Sequence, residues 1–184
     1  MLKFVTTNKH KYLEVKTVFD EFDVELEQLN MEYPEDKEKE MKEISLEAAK
    51  YLSEKLDEAV VVEDTGLYFE AYKNFPGAQP KFVYNSLGFK GIFKLLDGFS
   101  RKAYFKSVFA YCEPGLRAVS FEGVMNGTIA EKIYSENKDA MPYDHIFIPS
   151  GFKKAIVDMS IGEKNSFSQR AKAAKELAKY LKNK

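Results

Sequence analysis

Glu63 and Asp64 stand side by side, directly behind Val60-Val61-Val62 and ahead of Thr65-Gly66-Leu67. Two adjacent carboxylates at the end of a strand can hold a hard divalent cation and, through it, a polyphosphate. The same residues also describe a strand that closes in a solvated acidic turn, because Asp and Gly are ordinary turn formers. A polyphosphate needs cations and hydrogen-bond donors as well, and two distant segments offer them. Thr6-Thr7-Asn8-Lys9-His10-Lys11 joins small polar side chains to lysines, and Gly162 to Arg170 carries Lys164, Ser166, Ser168, Gln169 and Arg170. Between these, Asp139-Ala140-Met141-Pro142-Tyr143-Asp144-His145 provides a stacking face at Tyr143 and an acceptor at Asp144.

The elements that must position these groups follow from spacing. Three β-branched valines favour a covered strand, and Gly66 is expected to bend the chain sharply after the acids, with Tyr68 to Tyr72 pairing as a further strand. Met1 to Thr6 reads as a short strand, and Leu13, Val15, Val18, Phe19 and Phe22 then fall largely at helical spacing. The polar hexapeptide therefore sits at a strand-to-helix junction. Free backbone N–H groups and the positive end of the helix dipole would make it a phosphate cradle, while Thr or Asn there serves equally as an N-cap.

Val24 to Leu29 alternates like a half-exposed strand. The charged run Tyr33 to Glu40 precedes a helix carrying Ile44, Ala48, Leu52 and Leu56, so Glu35 and Asp36 fall on a loop at its entrance. Such a run is solvated surface, or, with that helix packed on the sheet, the source of a second metal carboxylate near Asp64. After the Asn74 to Ala78 loop, Phe89 to Leu96 reads as a helix and Tyr104 to Tyr111 as an aromatic strand. Glu113-Pro114-Gly115 has type II turn chemistry and leads into Leu116 to Phe121, then Val124 to Ala130. With the short strand Ile146-Phe147-Ile148, the second half is a β-meander. Ser166 or Ser168 caps a terminal helix bearing Ala173, Ala174, Leu177, Ala178 and Leu181, and Lys164 and Arg170 add positive charge near its start. Interspersed helices and hairpins point to an α/β or α+β fold with a mixed sheet.

Composition bounds the function classes. The 184 residues, 45% of them hydrophobic, suffice for one large domain, expected to span 1–184. With 28 basic and 29 acidic residues the net charge is −1, so no general attraction to nucleic acid or anionic lipid is expected. The single cysteine, Cys112, excludes an internal disulfide and suits a reducing compartment; it reads as packing. No run of 18 apolar residues and no basic-then-apolar leader occurs, so a soluble, cytoplasmic protein is expected.

In order along the chain, these pieces resemble the inosine triphosphate pyrophosphatase family, the Ham1-like enzymes, from Lys3 nearly to the carboxyl end. The T-x-N-x-x-K loop is matched by Thr6, Asn8 and Lys11, followed by the usual acid at Glu14. The E/D-D-S/T-G-L motif is matched by Glu63 to Leu67 and the F-P-G loop by Phe75-Pro76-Gly77. Tyr143-Asp144-His145-Ile146-Phe147 and Glu163 to Arg170 match the remaining two motifs. The resemblance implies an elongated mixed sheet flanked by helices, with a nucleotide cleft between two lobes. It implies a Mg²⁺-dependent hydrolase, usually a cytosolic homodimer, that cuts ITP, dITP or XTP between the α- and β-phosphates to a monophosphate and pyrophosphate. Asp64 would deprotonate the attacking water and bind Mg²⁺, with Glu35 as a further metal ligand. Thr6, Thr7, Asn8, Lys9 and Lys11, with Thr65, would hold the triphosphate, and Tyr143, Asp144, Lys164, Gln169 and Arg170 would approach the base and sugar.

The departures cluster at the base end. Gln169 stands where the family has His, Met141 where it has an aromatic residue, Pro142 where it has a small one, and His145 where Pro is common. Gln can hydrogen-bond a 6-oxo group without imitating an imidazolium. Lys37, Glu38 and Lys39 replace the expected Gln and Gly, and an extra residue there makes Asp36 a rival to Glu35. Two other readings stand beside the first: a Maf-like nucleotide pyrophosphatase of altered base preference, and a catalytically silent nucleotide-binding module.

Overall fold

In a computed structural model, which describes residues 1–33 and 39–184, the valine strand does not stop at the acids. Strand β3 runs unbroken from Val60 to Phe69, so the bend expected at Gly66 and the separate strand at Tyr68 to Tyr72 are both corrected. Gly66 is needed for close approach instead. A Cβ there would lie 2.8 Å from Tyr68 Cε2 and 2.9 Å from the Gly77 carbonyl oxygen, where β4 (Pro76–Gly77) runs alongside.

Seven strands form one mixed sheet in the order β2-β1-β3-β5-β6-β7, with β4 against β3. Strand β1 (Leu2–Val5) is parallel to both β2 (Leu26–Leu29) and β3, and each return is made by a helix: α1 (Lys9–Asp20), then α2 (Met41–Leu56). Parallel neighbours require such crossovers. Strands β5 (Lys102–Cys112), β6 (Val119–Ile129) and β7 (Phe147–Pro149) are antiparallel neighbours, the expected meander. Its first turn has Gly115 at φ 72 and the Leu116 N–H donating to the Glu113 carbonyl at 3.1 Å, as a type II turn demands.

Three further readings change. Helix α3 (Pro80–Leu95) begins well before Phe89, but Gly88, at φ 60 and ψ −178, interrupts it, so the apolar period restarts there. The terminal segment is two helices, α4 (Ile161–Asn165), closed by a Ser160–Glu163 capping box, and α5 (Gln169–Lys182), capped by Ser168. Strand β2 starts at Leu26 because the Val24 N–H is used to close α1, donating to the Phe19 carbonyl at 3.1 Å.

Side-chain alternation sorts the sheet into faces. Val60 and Val62 pack with Ala110 and Cys112 under Ala48, Ala49 and Leu52 of α2. Val61 packs on the other face with Phe109 and Tyr111, beneath Val15, Val18 and Phe19 of α1 and Ala173, Ala174 and Leu177 of α5. Farther along that second face, Leu67 and Phe69 enter another core with Val83, Ile92, Phe105, Met125, Ile129 and Tyr143. The two apolar cores are separated at Glu63 and Thr65. The sheet is also incomplete there: β1 meets β3 only at Val60 and Val61, and β4 meets it only at Leu67 and Tyr68. Over the residues between, β5 pairs with β3 on one side, and among the described residues no strand pairs on the other.

Candidate active site

A cleft of about 820 Å³ opens at this gap. Thr6, Thr7, Asn8 and Lys11 line it from the amino-terminal loop, and Glu63, Asp64 and Thr65 from β3. Tyr143 and Asp144 line it from a 3₁₀ turn (Pro142–His145), and Lys164, Gln169 and Arg170 from α4 and α5. Lys9 is not among the lining residues. Its ammonium lies outside, 2.7 Å from Asp139 and largely solvated. Glu35 and Asp36, the expected further metal ligand and its rival, lie outside the described residues.

The two carboxylates named first are not a pair. Because successive strand residues face opposite ways, Glu63 points toward α1 and α5 while Asp64 points toward α2, and both sit inside the strand instead of at its end. Glu63 is buried and its charge is matched, with the hydrogen bonds gathered on Oε1, while Oε2 has an ion-pair contact but no hydrogen-bond partner among the described residues. Lys11 Nζ lies 2.7 Å from its Oε2, Arg170 Nε donates to Oε1 at 3.2 Å, and Ser107 donates to Oε1 at 2.6 Å, with the Thr65 hydroxyl also bonded there. Burial alone would push its carboxyl upward, but Arg170, Lys11 and these donors together hold it down at about 2.

The network continues inward. Arg170, 1% exposed, donates from Nη1 to Glu14 at 2.6 Å and from Nη2 to Thr65 Oγ1 at 3.0 Å. Lys164, also buried, bridges Glu14 and Asp144, each at 2.7 Å. Lys11, Arg170 and Lys164 thus alternate with Glu63, Glu14 and Asp144, and their charges cancel. Burial opposes the ionised forms of Lys164 and Glu14, yet Asp144 and Glu14 hold Lys164 above its ordinary value and Arg170 and Lys164 hold Glu14 below its own. Lys164 and Arg170, expected from the sequence as free positive charge at a helix start, are therefore engaged by carboxylates.

Asp64 stands apart from this network. Its Oδ2 accepts from Ser45 Oγ at 2.9 Å, and burial is the main influence lifting its carboxyl above the usual range, with Lys11 pulling the other way and Glu63 adding to the rise. A carboxylate in a cleft with a raised proton affinity is suited to take a proton from water.

The amino-terminal loop forms the cap expected of it. Asn8 Oδ1 accepts from the backbone N–H of His10 at 3.0 Å and of Lys11 at 3.2 Å, so Asn8 is the N-cap of α1. The Asn8 N–H itself donates to Thr6 Oγ1 at 3.2 Å, which folds the loop over the end of β1. At the opposite wall Tyr143 donates its hydroxyl to the Pro80 carbonyl at 3.1 Å and meets Tyr84 and Phe105 edge-on, so its ring is a buried wall more than an open platform. Met141 also lines this wall, with Asn8 Nδ2 4.0 Å from its sulfur. Gln169 Oε1 is buried without a hydrogen-bond partner among the described residues. A buried acceptor left open in a cleft wall is a place for a ligand donor.

Sequence reasoning gave Glu14 no site role and did not single out Ser45 or Ser107. Glu14 and Ser45 interrupt the apolar stripes of α1 and α2, and a polar residue on a helix's buried stripe is the signal that could have found them. Ser107 carried no such signal, since its partner Glu63 is fixed only by the β3–β5 register.

The profile of the Ham1 family matches residues 2–180. The chain belongs to the Ham1 family. It is 40% identical to a dITP/XTP pyrophosphatase of Methanopyrus kandleri, covering 98% of this chain and 95% of that one. A dITP/XTP pyrophosphatase of Thermococcus kodakarensis is 39% identical, over 98% and 97% of the two chains. Among solved structures, a HAM1 protein from Coxiella burnetii superposes with a TM-score of 0.79 at 22% identity, over 100% of both chains, a likeness of fold.

Proposed function

We propose that this chain is a nucleoside triphosphate pyrophosphatase that hydrolyses the deaminated purine nucleotides ITP, dITP and XTP to monophosphate and pyrophosphate. The observation that carries the reading is the placement of Asp64, uncommitted to the buried ion pairs, at the gap of β3 facing the Thr6 to Lys11 loop. The names of the full-length relatives support the substrate class.

In this reading the triphosphate lies along the gap, with Thr6, Thr7, Asn8, Lys11 and Thr65 around the phosphates. Water attacks the α-phosphorus, the bond to the bridging oxygen breaks, pyrophosphate leaves, and the water proton passes to Asp64. The donor set fits Mg²⁺, which keeps several waters and takes one or two carboxylates plus phosphate oxygens. Asp64 would hold it together with Glu35, and the bound ion would neutralise phosphate charge. Residues 1–184 act as one catalytic unit, assembled as a homodimer in the cytoplasm. The described residues contain no helix long and apolar enough to cross a membrane.

Met141 and Gln169 at the far wall favour a second reading in one respect, a base preference shifted from the family's, as in Maf-like pyrophosphatases. A silent binding module would have no use for a carboxylate kept out of the neighbouring ion pairs. The test is product analysis by ³¹P NMR after incubation with Mg²⁺ and a panel of ITP, XTP, dITP, GTP and ATP. Monophosphate plus pyrophosphate, fastest from ITP or XTP, is expected; diphosphate plus orthophosphate, or binding without turnover, would refute it.

A further inference from the structure

Ser45 sits in the second turn of α2, fully buried among the residues that cover the valines of β3. Its hydroxyl has one proton and two acceptors at 2.9 Å, the Met41 carbonyl one turn back and Asp64 Oδ2. The carbonyl by itself would satisfy a mid-helix serine, and such back-bonding is common. What it does not explain is the arrangement on the other side. Asp64 occupies the stretch of β3 without a strand neighbour on its cleft flank, and its side chain makes no ion pair among the described residues. Its only anchor there is the Ser45 hydroxyl.

We propose that Ser45 is a positioning residue for Asp64: its hydroxyl tethers Oδ2 to helix α2 and so turns Oδ1 toward the cleft. The inference rests on the reading of Asp64 as the group that takes the water proton. Helix α2 is bound to the sheet by an apolar contact of its own, so it supplies a rigid mount that a loop would not. Misplacing a reacting group by about 1 Å can cost about 100-fold in rate.

The experiment compares Ser45→Ala with the isosteric pair Ser45→Thr and Ser45→Val, which differ from each other only in the hydroxyl. Ser45→Ala removes atoms and introduces no clash, so it stands whether or not the larger side chains fit. The expected result is a fall in kcat of about 10- to 100-fold for Ser45→Ala, with the Kd for ITP, measured calorimetrically in EDTA, within about two-fold of wild type. Ser45→Thr should exceed Ser45→Val in kcat by about 10-fold. Adding Ser45→Ala to Asp64→Asn should cost nothing further, because the two act as a unit. A Ser45→Ala variant with wild-type kcat overturns the tether, and so does a Kd that rises in step with the loss of kcat. Failure of the underlying reading looks different: wild-type turnover in Asp64→Asn removes the base itself, whereas an inactive Asp64→Asn beside a fully active Ser45→Ala removes only the tether.

Discussion

The two faces of β3 treat adjacent carboxylates in opposite ways. On the α1/α5 side Glu63 meets Lys11, Arg170, Ser107 and Thr65, and its charge is matched in the first contact layer. On the α2 side Asp64, among the described residues, meets one hydroxyl. The first environment holds the carboxyl near 2 and the second lifts it, although the residues are neighbours in sequence and both are removed from bulk water. Burial alone therefore does not make a reactive acid. The distribution of counter-charges decides: two cations make Glu63 a structural anion, and their scarcity leaves Asp64 with an oxygen for chemistry.

The sharpest way to break the contrast is Asp64→Asn. It should lower kcat by about 10³- to 10⁴-fold while leaving thermal stability within about 1 kcal/mol of wild type, since no ion pair among the described residues is lost. Wild-type turnover would end the assignment. On the other face the signs reverse. Arg170→Met should cost about 3–5 kcal/mol of unfolding free energy in urea titrations, because it leaves Glu63, Glu14 and Asp144 to share Lys11 and Lys164, one buried negative charge in excess. A loss below about 1 kcal/mol would show that the network contributes little to holding the two cores together.

Acid titration separates the faces next. Glu63 has a folded value of about 2 against 4.5 when unperturbed, so the unfolded chain binds its proton first as pH falls. Its stabilisation is complete above about pH 4.5 and is lost as pH falls toward 2, a change of about 3 kcal/mol from this one group. Urea midpoints at pH 7, 5, 4 and 3 should follow that slope, and Glu63→Gln should be less stable at pH 7 with a shallower acid limb. The smallest effect concerns the loop. Lys9→Ala should leave KM within about two-fold, its ammonium being paired in solvent with Asp139, whereas Lys11→Ala should raise KM about 10-fold or more.

Much of this arrangement was legible in the sequence because it is periodic or local. The β5–β6 turn follows from Pro114 and Gly115, the mixed sheet from crossovers beside hairpins, and the strand-to-helix loop from polar residues before an apolar stripe. The misreadings concern partners distant in sequence. Gly66 looks like a bend until Gly77 is brought beside it. Lys164 and Arg170 look like free cations until α1 delivers Glu14 between them. Glu63 and Asp64 look like one chelating pair because adjacency in a line hides alternation in space. Ser45 was silent because its role depends on which strand α2 covers.

Between Val61 and Leu67 the floor of the cleft is, among the described residues, held by a strand on one flank alone. A guest laid along the other flank takes the seat a further strand would otherwise fill, joining the amino-terminal portion of the molecule to the meander. Cohesion at that seam is thus lent by whatever occupies it, and a nucleotide that binds there should raise the melting temperature as well as be consumed.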